Sequence, residues 1–527
     1  VTTAPTPSTT DHFDFIIIGS GPGGGTLAHT LAPSGKRILI LERGPYLPRE
    51  AENWNSDAVF VDGRYATRDV WHDKDGKPIH AGIHYFVGGN SKVYGAALLR
   101  LRARDFETIQ HYGGISPAWP LSYTDFAPYY DRAETLYEVH GEHGTDPTDP
   151  APDAKYPFPA VSHEPRIQRL FNDMQTAGVN PFPLPLGIRL LEEGTTVGRE
   201  SKCVRCATCD GYPCWTLAKS DAESICVRPA LAHPNVTIRT DTMALRLLTN
   251  AAGTEVTGVE VEHAGERETL TANVVVVACG AINSAALLLR SASDKHPAGL
   301  ANGSTMVGRN YMRHNNTAML AISREPNPTV FQKTIGCNDY YFNAPDSDLP
   351  LGHFQMLGKS DGGQIKGEAP GWIPFKPEFP LEVMAKHSID FWMTSEDLPS
   401  YENGVTLDRD GGIILTLYET NMEAHTRLQK KLHQLLDKIG CHDSFLPRSL
   451  YLGNNVPIGG TAHQVGTVKF GTDPKTSVLD TNCKAHELDN LYVVDGSFFV
   501  SAGAVNPGLT IMANAIRVGD HLLQRYA

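Results

Sequence analysis

FDFIIIGSGPGGGTLAHTLAPSGKRILILERG, Phe13–Gly44, is the stretch from which the fold is read. A short apolar run, FDFIII, ends at glycine, as a buried parallel strand does. About a dozen helix-compatible residues follow, ending near Gly35, and RILILE supplies a second strand. Gly19, Gly21 and Gly24 have the GxGxxG spacing, and Glu42 closes the unit. Gly19 allows the tight turn, Gly21 lets backbone approach a pyrophosphate, and Gly24 lets helix and strand pack closely. The helix N-terminus then faces the negative charge, and an acid at the position of Glu42 accepts hydrogen bonds from ribose hydroxyls. A dinucleotide site is expected. The motif alone leaves NAD and FAD open.

Two further segments belong to the same fold. NVVVVACG (Asn273–Gly280) leads into a helical AINSAALLLRS, and NLYVVDGSFFV (Asn490–Val500) lies near the C-terminus. The stretches VTIRTDTMALRLL and TEVTGVEVEHAG alternate as antiparallel ribbon does. The expected class is therefore α/β (α+β): a doubly wound nucleotide-binding domain, discontinuous in sequence, assembled from 12–115, 225–320 and 450–527. The intervening 116–224 and 321–449 form a second domain. GHFQMLG, VMAKHSIDFWM and GGIILTLYE read as its strands, and MEAHTRLQKKLHQLLDKIG as an amphipathic helix.

Composition bounds the function. With 46 basic and 59 acidic residues among 527, the net charge is −13. That disfavours nucleic acid, anionic membrane surfaces and polyphosphates as partners, and suits neutral small molecules. No run reaches the roughly 18 apolar residues of a membrane span. The leader VTTAPTPSTT has no basic or apolar region of a secretion signal, so the expectation is a cytoplasmic chain, with a monomer compatible with the sequence.

The motifs, in their order, resemble those of the glucose–methanol–choline (GMC) oxidoreductases, FAD-dependent alcohol oxidases and dehydrogenases. They include DFIIIGSGPGGGTLA with LERG, VGGNSKVYGAALLR (Val87–Arg100), VGRNYMRH (Val307–His314) and EDLPSYENGVTLD (Glu396–Asp408). The strongest are HQVGTVKFGTDP (His463–Pro474) and the segment from NLYVVDGS through AVNPGLT to the C-terminal helix. Within the family the chain looks most similar to pyranose 2-oxidase-like bacterial enzymes, including glycoside 3-oxidases. The resemblance implies an FAD domain with a substrate domain on an antiparallel sheet. It implies cofactor contacts from Gly19, Gly21, Gly24, Glu42, Arg43, Gly88, Gly89, Asn90, Ser91, Asp495, Gly496 and Pro507. His463 and Asn506 match the catalytic His and its His-or-Asn partner.

The chemistry needs that pair. A C–H bond yields a hydride only as the hydroxyl proton leaves, and a neutral imidazole is suited to accept it. Asn506 can orient the same hydroxyl; on local sequence it also reads as a helix cap before NPGLT. The expected activity is oxidation of a pyranose ring secondary alcohol to a ketone, at carbon 3 ahead of carbon 2, with dioxygen reduced to hydrogen peroxide. The alternative is a sugar or alcohol dehydrogenase serving a quinone, dye or cytochrome partner. FAD is expected to be non-covalent, because Val93 stands where pyranose 2-oxidases carry the tethering His. His353, Gln355 and Tyr341 are candidates for sugar contact, each with a structural role as the alternative. The Gly/Pro-rich Ser360–Pro380, with Trp372 and Phe375, reads as a covering loop.

CVRCATCDGYPC (Cys203, Cys206, Cys209, Cys214) approaches an iron–sulfur or zinc spacing. Four residues before the last Cys, and a Pro preceding it, depart from the ferredoxin run. A reduced or disulfide-linked loop without metal is expected. Cys226, Cys279, Cys337, Cys441 and Cys483 read as inert residues.

Overall fold

A computed structural model describes residues 12–80, 82–190, 202–323, 325–368, 378–440, 454–455 and 462–526. The Phe13–Gly44 unit folds as read: strand His12–Ile18, helix Pro22–Leu31, strand Ile38–Leu41. The neighbouring strands run parallel in the order Val236–Arg239, Ile38–Leu41, His12–Ile18, Glu266–Val277, Leu491–Val493. The runs Phe15–Ile18, Ile38–Leu41, Val274–Val277 and Leu491–Val493 are almost wholly apolar because the centre of the sheet is covered on both faces. Ile16, Ile17, Ile38, Leu39, Val276 and Val493 are fully buried. The C-terminal helix Gly508–Arg525 packs against Pro22–Leu31.

The other end of Glu266–Val277 continues into an antiparallel ribbon with Val256–His263 and Thr242–Thr249. VTIRTDTMALRLL is thus two elements rather than one ribbon. A left-handed residue, Asp241 (φ 52°), separates Val236–Arg239, a parallel edge strand of the nucleotide sheet, from the antiparallel Thr242–Thr249.

The second sheet is antiparallel, in the order Asn454–Asn455, Asn315–Ile322, Ser388–Ser395, His353–Met356, Ile335–Cys337, Pro181–Pro183. Side chains alternate between its faces. Met319, Phe391, Met393, Phe354 and Met356 join Ile167, Leu170, Leu428 and Leu432, from helices Pro165–Thr176 and Met422–Lys438, in a core of their own. Burying each large apolar side chain there is worth about 1.5–3 kcal/mol. The opposite face carries His353, Gln355, Trp392 and Thr394, with His353 opposite Thr394 and Gln355 opposite Trp392. VMAKHSIDFWM is half helix: Glu378–His387 is helical and the strand begins at Ser388. Met, Ala and Lys before it are strong helix formers, and the β-branched and aromatic residues come after. Among the described residues no helix is long and apolar enough to cross a membrane.

Candidate active site

The first turn is built by steric necessity. A Cβ on Gly19 (φ 104°) would lie 2.2 Å from the Ala278 carbonyl oxygen, and one on Gly24 2.0 Å from the Gly19 carbonyl oxygen. Gly21 differs. A Cβ there meets nothing nearer than the Gly88 carbonyl oxygen at 4.0 Å. The helix that starts here has proline in its first turn, no side-chain cap and no acidic residue in that turn. Its positive end is therefore left for an anion, with an open cradle beside it, as a pyrophosphate requires. The buried carboxylate of Glu42 accepts from the Ser20 amide (3.1 Å), the Ser20 hydroxyl and the Gly44 amide (2.9 Å). Burial raises its pKa despite those bonds. Arg43 pairs with Asp69 at 2.9 Å and lies over the Tyr85 ring.

Gly88 and Gly89, both left-handed, bring a second loop onto the first turn: the Gly88 amide donates to Ser20 Oγ at 3.0 Å. The side chains of the next two residues hold this loop. Asn90 accepts from the His84 amide (2.8 Å) and donates to the Gly82 carbonyl (2.9 Å). Ser91 donates to the Gly88 carbonyl (2.6 Å) and accepts from the Ala222 amide (3.0 Å). Asp495 accepts from the Gly280 amide (3.0 Å), the Ser497 amide (2.8 Å) and the hydroxyls of Ser284 and Ser497. The side chains of Asn90, Ser91 and Asp495 are thus spent on holding the backbone of these turns. Gly496 lets the segment of His463 approach: its Cβ would lie 2.8 Å from the Gln464 carbonyl, and the Gly466 amide donates to its carbonyl at 3.1 Å.

His463 and Asn506, 43 positions apart, come together: Asn506 Nδ2 lies 3.4 Å from His463 Nε2. Asn506 is not the cap of the C-terminal helix, whose N-cap is Pro507. On its other side, His463 Nδ1 is 3.1 Å from Nδ1 of His314, and Trp392 of the second sheet meets its ring edge-on. Desolvation, then the neighbouring His314 and His353, push the His463 pKa down to about 3. The imidazole is therefore a neutral base at working pH.

The three proposed sugar contacts separate. His353 and Gln355 sit side by side (Nε2 to Oε1 3.0 Å) on the sheet face that carries Trp392. His353 Nδ1 faces Asn338 Oδ1 at 2.7 Å. Tyr341, by contrast, gives its proton to Asp105 (2.8 Å) and accepts the Ala504 amide (2.9 Å). Its hydroxyl is committed to the loop that carries Asn506. Glu396 holds the same loop through the Ala502 amide (3.2 Å), and Trp119 through Ser501 Oγ (2.7 Å). Behind the loop lies a small cavity, with room for about one water, lined by Asp105, His111, Tyr341, Glu396, Asn421 and Ala504 among others. Burial and the nearby Glu396 raise the Asp105 pKa to about 7. Sequence reasoning missed His314, Glu396 and Asp105, and it missed that Tyr341 braces a loop. Only VGRNYMRH and EDLPSYENGVTLD, quoted as motifs, marked where two of them stand.

The four clustered cysteines are free thiols; burial pushes Cys203 up to about 12. Among the described residues no group of three or more His, Cys, Asp or Glu side chains is arranged to hold a metal ion. Cys226, Cys337 and Cys483 are buried and Cys279 half-buried; Cys441, Trp372 and Phe375, like Gly459 and Gly460 before His463, lie outside the described residues.

Two GMC oxidoreductase family models match the chain, one over residues 13–316 and the other over 448–515. The chain belongs to the GMC oxidoreductase family. Its relatives include the 6'''-hydroxyparomomycin C oxidase of Streptomyces lividus, 31% identical over 98% of this chain and 93% of that protein. The paromamine 6'-oxidase of Streptomyces fradiae is also 31% identical, over 96% of this chain and 90% of its own. Among solved structures, a formate oxidase variant from Aspergillus oryzae RIB40, studied for FAD modification, aligns with a TM-score of 0.67 at 16% identity, covering 99% of both chains. This GMC oxidoreductase is thus an FAD-dependent oxidoreductase acting on alcohol groups. The cradle at Gly21 and the uncapped helix are the features that fit FAD.

Proposed function

We propose that this GMC enzyme is a sugar or glycoside oxidase in which His463 takes the proton of a substrate CH–OH and Asn506 orients the same oxygen. FAD, when bound, supplies the acceptor for the hydride and the place where dioxygen is reduced to hydrogen peroxide. One observation carries the reading: a neutral imidazole faces an amide N–H across 3.4 Å, beside Trp392 of the sheet face that also carries His353 and Gln355. A hydroxyl seated there donates to His463 Nε2 and accepts from Asn506 Nδ2. Proton and hydride then leave in opposite directions, and positioning supplies much of the rate. The imidazolium formed is a stabilising positive charge for the anion that develops in the oxidative step. FAD is held without a covalent link, since the side chain at Val93 offers no nucleophile.

Oxidation at ring carbon 3, ahead of carbon 2, is the reading drawn from the Ser360–Pro380 segment, whose described part is helical at Gly362–Glu368 and from Glu378, and whose residues 369–377 lie outside the described ones. A second reading has its own support: two relatives of nearly full coverage are named for oxidation at 6' or 6''' positions of aminoglycosides. The net charge of −13 favours approach of a cationic aminosugar. The test is anaerobic flavin reduction by neutral glycosides and by aminoglycosides, followed by product analysis and peroxide assay in air. Dye reduction without peroxide would move the assignment to a dehydrogenase. Turnover of choline with no sugar active would refute it.

A further inference from the structure

His463 can accept a proton at Nε2 only if its own proton sits on Nδ1. Which nitrogen carries it is decided by what the other nitrogen meets. The backbone sets that meeting. Met312 and Val465 pair as an antiparallel bridge through two hydrogen bonds, Met312 N to Val465 O at 3.0 Å and Val465 N to Met312 O at 2.9 Å. His314 stands two residues after Met312 and His463 two residues before Val465, and their rings meet. His314 is 1% exposed and holds a left-handed backbone, φ 66°. The carboxylate of Asp397 fixes this conformation by accepting the amides of Arg313 (3.1 Å) and His314 (3.4 Å). A non-glycine residue kept in this region is a common mark of a functional constraint.

The hydrogen bonds form a chain with one polarity. His314 Nε2 lies 3.2 Å from the Ala502 carbonyl oxygen, which can only accept. The proton of neutral His314 is therefore on Nε2, and its Nδ1 is a lone pair. Burial lowers the His314 pKa, outweighing the Ala502 and Gly503 carbonyls and the Glu396 carboxylate, which favour the charged ring. Nδ1 of His463, 3.1 Å from that lone pair, must be the donor. At the other end Asn506 Nδ2, a donor, faces His463 Nε2. Both contacts of His463 demand the same tautomer, with the lone pair of Nε2 turned toward Asn506.

We propose that His314 is a positioning residue that selects the reactive tautomer of His463, with the Ala502 carbonyl as the anchor that gives the chain its direction. The proposal rests on the reading of His463 as the proton acceptor. When the substrate proton arrives at Nε2, the ring becomes a cation that still donates through Nδ1 to His314, so the acceptor is ready in place and no proton has to move on. The anchor also lies in the loop of Asn506. The histidine and its amide partner are thus referenced to a common backbone.

Two variants and one spectrum test this. His314→Phe keeps a ring but removes the acceptor, leaving a buried N–H on His463 without a partner; the tautomer balance should shift by about 5- to 150-fold, and anaerobic flavin reduction should slow within that range. His314→Gln can donate its amide to the Ala502 carbonyl and offer its oxygen to His463, so it should reduce flavin faster than His314→Phe. Equal rates for the two variants, or a parent-like rate for His314→Phe with FAD fully bound, would overturn the proposal. The spectrum does not depend on either variant folding. In ¹⁵N-histidine NMR of the parent holoenzyme, with the His463 signals identified by their loss in His463→Ala, Nδ1 should be the protonated nitrogen. A proton on Nε2 would overturn it outright. A wrong choice of substrate would leave this spectrum unchanged, while failure of His463→Ala to slow reduction would sink the functional reading and not the tautomer assignment.

Discussion

Replacing Gly21 by alanine separates the fold from its cofactor. The residue has φ −68° and ψ −168°, which any L-residue adopts, and the added methyl meets no atom closer than 4.0 Å. The apoprotein should fold as the parent does, gaining about 0.4–1 kcal/mol from the stiffer unfolded chain. The methyl stands in the cradle beside the uncapped helix. Displacing a pyrophosphate from one charge-assisted hydrogen bond costs about 1.5–3 kcal/mol, or about 10- to 150-fold in FAD affinity. Gly24→Ala is the contrast, since its methyl would lie 2.0 Å from a backbone oxygen. It should lower apoprotein stability by at least the 1–3 kcal/mol typical of overpacking, whether or not FAD is present. Calorimetric melting of the apoproteins and a titration monitored by flavin fluorescence measure both quantities. FAD binding to Gly21→Ala at parental affinity would refute the placement of the pyrophosphate.

His463→Ala should slow anaerobic flavin reduction about 100- to 10,000-fold, with the FAD spectrum retained, as stopped-flow absorbance will show. Asn506→Ala should cost less in the same assay, because it removes an orienting donor and leaves the proton acceptor. The acid limb of the reduction rate should lie well below pH 6.5, since burial holds the His463 pKa near 3. Between pH 6.5 and about 3 the unfolded chain binds a proton at this residue that the folded chain does not, so stability falls as pH drops through that window. Urea unfolding of His463→Ala at pH 7 and pH 5 should accordingly show a smaller loss than the parent. Acid or heat denaturation should release the yellow chromophore into the supernatant; a flavin retained in the pellet would contradict non-covalent binding at Val93.

What sequence made legible is local or sterically forced. The first strand, turn and helix announce themselves through an apolar run and glycines whose replacements would collide with backbone. The pairing of His463 with Asn506 rests on motif resemblance, and the structure brings the two together. His314 could not be singled out, because its meaning depends on the register of Met312 with Val465, which no local pattern encodes. Sequence alone places Tyr341 near sugar; a tyrosine's hydroxyl looks alike there whether it meets a ligand or, as here, Asp105 and the Ala504 amide. Asn506 reads equally as a cap in sequence, and only the helix start beyond Pro507 removes that reading. The split of VTIRTDTMALRLL turns on one left-handed aspartate, a conformation Asp adopts without announcing it.

The parallel sheet takes its last strand, Leu491–Val493, against Val275–Val277. More than 450 residues of chain lie between the end of the first strand at Ile18 and that arrival. At about 5–20 residues per second of synthesis, the growing chain waits roughly 25–95 seconds between the two events. Val275–Val277 is itself made 214 residues before Leu491, so for roughly 11–43 seconds of that wait this apolar edge has backbone donors and acceptors without a neighbour, the condition that invites strand addition from another molecule. Neither Asp495 nor the loop of Asn506 exists yet, so a nascent chain can offer the helix of Pro22–Leu31 to a pyrophosphate long before it can complete a flavin pocket. Biogenesis of this enzyme should therefore respond to translation speed and chaperone supply more sharply than to flavin concentration, with flavin capture as the closing step.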